Sequence, residues 1–140
     1  MRRGGRVLRK ENAMKKLVPL SIAFAALLLA GSALADGHSQ IVLAEQHATL
    51  AAESTDVALV HAHLHHTLNC LVGPGGPGFD AQEMNPCANA GHGAIPDGGL
   101  LKKLSLQAAA AEARKGIAEP DLAKAQADAA ATAQMLNKAE

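Results

Sequence analysis

Aromatic side chains are nearly missing from this 140-residue chain, which has no tryptophan, no tyrosine and two phenylalanines, Phe24 and Phe79. That scarcity all but excludes stacking on bases or sugar rings. It also leaves little to line a haem pocket, and the C-x-x-C-H attachment spacing is absent. Positive charge is scarce too, once its position is considered. Seven of the thirteen basic residues fall in the first 16 positions. From residue 36 onward, six (Lys102, Lys103, Arg114, Lys115, Lys124 and Lys138) face twelve acidic residues, a net charge of −6. An anionic surface of this kind repels phosphate backbones and attracts cations, so nucleic acid is not an expected partner. Catalytic patterns are missing as well. No Ser/His/Asp set or paired carboxylates stand out, and "GPGGPG" is too broken by proline to cradle phosphate ahead of a helix. The chain does not read as an enzyme.

The first 35 residues read as an export signal. Lys15 and Lys16 form a positive n-region, "LVPLSIAFAALLLAG" an apolar h-region and Ala33-Leu34-Ala35 a small-residue cleavage site. Met14 is an alternative start. The apolar stretch is short for a membrane span and lacks a stop-transfer cluster, so no membrane contact is expected after cleavage. The mature chain, 36–140, is then periplasmic. In that oxidising compartment Cys70 and Cys87 are most simply one disulfide, worth roughly 3 kcal/mol on chain entropy.

Propensity and punctuation predict an all-α fold, a four-helix up-down bundle made of two helical hairpins. Helices are expected at about 39–52, 55–72, 98–116 and 120–138. Ser54 or Thr55 can cap the second, Gly116 can end the third, and Pro120 suits the first turn of the fourth. A long Gly/Pro-rich insert, 73–97, separates the hairpins, tethered by the disulfide. Expected core residues are Ile41, Leu50, Val57, Val60, Leu64, Leu68 and Leu71 in the first hairpin. In the second they are Leu100, Leu101, Leu104, Leu106, Leu122, Met135 and Leu136. At an offset of 65 the halves align, with Asp56/Asp121, Ala44/Ala109, Ala48/Ala113, Thr67/Thr132 and Leu71/Leu136 identical. That suggests an internal duplication in which one hairpin alone carries imidazoles.

The stretch "HAHLHHTLNC", 61–70, holds four of the seven histidines. Histidine is the commonest metal ligand, and the i,i+4 pair His61 and His65 has the spacing by which a helix offers two imidazoles to one ion. Ala62 stands where a zinc hydrolase has its glutamate, so hydrolytic chemistry is not implied. On the helix, His61 and His65 border the apolar stripe. His63 and His66 fall opposite, where i,i+3 spacing permits a second, weaker site. His47, His38 and His92 are further candidate ligands, and Glu45 and Asp56 could ligate or support them. Met84 reads as a loop residue. The expected cofactor is a divalent transition metal, copper first, then nickel or zinc. The rival readings are a haem protein and a pH-sensitive or structural interaction module that uses the insert.

Residues 37–68, "GHSQIVLAEQHATLAAESTDVALVHAHLHHTL", resemble the small periplasmic metal-binding protein family. The resemblance implies a four-helix bundle that takes up copper and other divalent transition metals for buffering, sequestration or delivery. The residues matching that family's spaced histidines are His38, His47, His61 and His65, with Asp56 opening the second helix. This chain differs in lacking histidines in the second hairpin and in adding the cysteine pair and the insert.

Overall fold

The computed structural model describes residues 37–140; the expected signal segment and its cleavage site lie outside the described residues. Among the described residues the chain is all-helical, with five helices and no strand. These are α1 (Gly37–Glu53), α2 (Val57–Val72), the single turn α3 (Ala94–Asp97), α4 (Gly99–Ala118) and α5 (Leu122–Asn137). None is long and apolar enough to cross a membrane.

The helix starts follow carboxylate chemistry rather than the hydroxyl caps suggested by the sequence. Asp56, not Ser54 or Thr55, caps α2, its side chain accepting from the amides of Ala58 and Leu59 at 2.8 and 3.3 Å. Asp121 caps α5 through the Lys124 amide at 3.0 Å, which leaves Pro120 outside the helix. An N-cap oxygen satisfies one of the orphan amides of the first turn, and a carboxylate also favours the positive end of the helix dipole.

α1 packs against α2 and α5, and α4 packs against the same two helices. The seams between them are built of small residues: Ala44, Ala48, Ala51, Ala109, Ala110, Ala113, Ala125 and Ala129 are all buried. Few large side chains join them, chiefly Ile41, Val60, Leu64, Leu68, Leu71, Leu106 and Leu136. The expected core is corrected on five positions. Leu100, Leu101 and Leu104 are 84, 97 and 78 % exposed, and Leu50 and Met135 also face outward. α4 turns Leu106, Ala109, Ala110, Ala113 and Gly116 inward and Leu100, Leu101 and Leu104 outward, because mostly small residues fit where helices approach this closely.

Gly116 illustrates the point. It does not end the helix, which continues to Ala118. It is buried, and a Cβ added there would lie 2.6 Å from Leu64 Cδ1 and 3.2 Å from Asp128 Cβ. The glycine serves packing between α4, α2 and α5.

The offset of 65 holds in three dimensions. α2 and α5 are both 16 residues long and both start after an aspartate cap. Thr67 and Thr132, both buried, donate to the carbonyls four residues back, His63 and Asp128. Ile41/Leu106, Ala44/Ala109, Ala48/Ala113, Ala51/Gly116 and Leu71/Leu136 are buried in both halves.

The insert between α2 and α3 has a definite path despite its composition. Cys70 and Cys87 form a disulfide. Buried Asn69 donates from Nδ2 to the carbonyls of Asp80 and Met84 at 2.9 and 3.2 Å, and its Oδ1 accepts from the Asp80 amide at 2.8 Å. Arg114 of α4 donates to the Pro77 carbonyl at 2.7 Å. Gln40 of α1 donates to the Ala90 carbonyl and to Asp97 Oδ2, each at 2.8 Å. Gly73 ends α2 at φ +69°, where a Cβ would collide with the carbonyl of His92.

Gly116→Ala tests the close packing. Alanine gains about 1 kcal/mol of intrinsic helix propensity, but overpacking against Leu64 costs about 1–3 kcal/mol. The expected outcome in urea denaturation is a lower midpoint with unchanged slope; a midpoint at or above that of the parent chain would show that the seam has slack.

Candidate metal centre

The histidines of α2 diverge around the helix. With Leu64 facing the interior, 100° per residue places His61 and His65 on one flank and His63, His66 and Thr67 on the other. α1 lies against the second flank, where the Thr67 hydroxyl reaches the Ala44 carbonyl at 3.1 Å. One turn along α1 from Ala44, His47 therefore meets His63 and His66.

The three rings form a compact group. Ring centroids are 5.5 Å apart for His47 and His63, 5.1 Å for His47 and His66, and 5.6 Å for His63 and His66. One ligand nitrogen from each lies within 4.8 Å of the other two, so the group could hold a metal ion. His47 Nδ1 and His63 Nδ1 are 3.3 Å apart. His66 Nε2 faces Glu83 Oε2 of the insert at 3.5 Å, while its Nδ1 is buried with no hydrogen-bond partner.

The surroundings disfavour a positive charge on two of the three rings, His47 and His66. Burial first, and then the neighbouring rings of His66 and His63, lower the His47 pKa to about 4. Burial also lowers that of His66, aided by His63 and opposed by Glu83. A neutral imidazole has a free lone pair, which is the form a metal ion binds.

The other expected ligands lie elsewhere. His61 Nε2–H donates to the Glu119 carbonyl in the α4–α5 connection at 2.8 Å. His65 Nδ1 is turned toward Asp80 Oδ2 at 3.6 Å, beyond hydrogen-bond reach. The structure thus sends the i,i+4 pair to two different partners and gathers the i,i+3 pair with His47. His92 is exposed and contacts Asp97 at 3.3 Å. His38 is exposed in the first turn of α1. Glu45 accepts from Thr49, and Asp56 is occupied as a cap. Sequence reasoning gave no role to Glu83; its chain signal was only a carboxylate in the insert. Met84 is exposed in the insert.

The second hairpin has a counterpart. The positions equivalent to His47 and His63 are Glu112 and Asp128. Between these carboxylates sits Lys115, its Nζ 2.6 Å from Asp128 Oδ1 and 3.0 Å from Glu112 Oε1. Those two hydrogen bonds, Asp128 first, raise the Lys115 pKa.

Compared with known proteins, the chain matches no family model, no curated protein and no solved structure.

The lowered His47 pKa fixes a pH response of the metal-free fold. Between 6.5 and about 4 the unfolded chain takes up a proton at this ring that the folded chain does not. Stability is therefore full above pH 6.5 and declines as the pH falls toward 4. In chelator-treated protein the denaturation midpoint should fall over that window more steeply than in His47→Gln. Parallel pH profiles for the two proteins would contradict the shift.

Proposed function

We propose that this chain is a periplasmic transition-metal-binding protein that buffers, sequesters or delivers its ion, with His47, His63 and His66 as ligands. The proposed scaffold is a four-helix up-down bundle of two hairpins, in which the disulfide-tethered insert closes over one end of the histidine cluster. The observation that carries this reading is the convergence of three imidazoles from two helices within 4.8 Å.

The spacing bears on the metal. Two nitrogens held 2.0–2.1 Å from a tetrahedral ion are about 3.3–3.4 Å apart, against about 2.9 Å for neighbours in a square plane. The His47–His63 separation of 3.3 Å matches the tetrahedral edge. That one distance is compatible with a tetrahedral ion, and the proposed metal is copper, nickel or zinc. Three protein ligands leave one position for water or for a recipient's ligand, which suits transfer. The resemblance of residues 37–68 to the small periplasmic metal-binding family agrees with this function, although the ligand set proposed here replaces that family's His38, His61 and His65 with His63 and His66.

Calorimetric titration of metal-free mature protein with zinc, copper(II) and nickel separates the two ligand sets. His47→Ala and the double variant His63→Ala/His66→Ala should each lose at least about tenfold in affinity, since loss of a supporting group alone costs that much. His61→Ala/His65→Ala should stay within about twofold. The reverse ranking, or no uptake by the parent chain, would dismiss the proposal.

A further inference from the structure

The insert is held too firmly for a passive connection, and its fixed points converge on one place. Asn69 anchors the backbone at Asp80 and Met84. The disulfide anchors Cys87 to the next residue of α2, Cys70. Asp80 further accepts from the Gln82 amide at 2.9 Å, tightening the turn that leads into Glu83. Residues 80–87 are thus registered against the last two turns of α2, and besides Cys87 they turn two carboxylates toward it. Asp80 meets His65, outside the histidine cluster, at 3.6 Å. Glu83 meets His66, inside it, at 3.5 Å.

An imidazole has two nitrogens, and a group that accepts a proton from one leaves the lone pair on the other. His66 is placed for such a division, its Nε2 lying 3.5 Å from Glu83 Oε2, slightly longer than an ordinary N–H···O bond. Its Nε2 faces a carboxylate, which can only accept, and its Nδ1 is buried without a partner beside His47 and His63. The His66 side chain is 12 % exposed, so water is a poor substitute for either contact. A carboxylate behind a ligating histidine fixes the ring, holds the proton on the far nitrogen and makes the near one more basic.

We infer that Glu83 is a positioning residue for the metal centre: it accepts the His66 Nε2–H and thereby presents the Nδ1 lone pair to the ion shared with His47 and His63. This inference rests on the metal-binding reading for its purpose, but the Glu83–His66 pair exists or fails independently of any metal. It also gives the insert a task. A carboxylate three residues from a main-chain clamp is aimed at one ring and not at its neighbour.

Nitrogen-15 NMR of the metal-free mature protein reads the pair directly. The His66 Nε2–H proton should be protected and visible in the parent chain, lost in Glu83→Ala and retained in Asp80→Asn. Zinc added as the chloride should shift His66 Nδ1 while Nε2 keeps its proton. Zinc affinity should fall about 10–100-fold in Glu83→Ala, recover in part in Glu83→Gln, which keeps an acceptor without the charge, and hold in Asp80→Asn. Indifference of the Nε2–H signal to Glu83→Ala, or zinc attached through Nε2, would overturn the inference. A parent chain that takes up no zinc but shows the Glu83-dependent Nε2–H would overturn the metal-binding reading alone.

Discussion

The hydroxyl of Thr67 donates to the main-chain carbonyl of Ala44 on the neighbouring helix at 3.1 Å. A threonine side chain can reach across to another helix's backbone only where the two helices nearly touch. That proximity depends on Ala44, Ala48 and Ala51, which present a methyl group where a larger residue would hold α2 away. The histidine cluster is a consequence. His47 lies one turn from Ala44, and His63 one turn from Thr67, so the same contact that seats the helices brings the two Nδ1 atoms to 3.3 Å. Wider helices would leave the rings a water layer apart.

A seam of alanines buries little apolar area per residue, and the hydrophobic term scales with that area. The fold makes up the difference with constraints outside the seam. The disulfide removes loop entropy from the unfolded chain, roughly 3 kcal/mol for a closure of this size. Buried Asn69 and Gln40 replace the water that polar insert backbone would otherwise need. Both side chains belong to helices and both bind loop carbonyls, so the glycines and prolines of the insert follow a path dictated by α1 and α2. Order in a segment without regular structure comes here from its neighbours.

Much of this was legible in the sequence. Helix periodicity, the glycine–proline break, the cysteine pair and the offset of 65 all translate directly into elements of the structure. Periodicity within one helix could not say which flank of α2 would face α1. His61/His65 and His63/His66 sit on opposite flanks of the Leu64 stripe, and the arrangement of neighbouring helices decides between them. The i,i+4 pair looked better as an isolated chelator, yet α1 lies on the other side. Leu100, Leu101 and Leu104 misled for a related reason. Hydrophobicity ranks leucine above alanine for burial, whereas a close seam selects for size first. Glu83 was invisible because its partner is chosen by a loop path that no local pattern encodes.

The correspondence at an offset of 65 sharpens what is specific to α1 and α2. At the same two positions, one half has His47 and His63 and the other Glu112 and Asp128. The second half places two anionic groups around a point and supplies the cation itself, the ammonium of Lys115 at 2.6 and 3.0 Å. Leu50 occupies the equivalent of Lys115 in the first half, and it points away into solvent. The first half therefore has convergent electron-pair donors with no internal cation to receive them. The three imidazoles gain little from one another: at most one N–H can bridge the 3.3 Å gap, and burial disfavours a charging proton on His47 and His66. Such a group could hold an external metal ion. In the other half the chain supplies the cation itself.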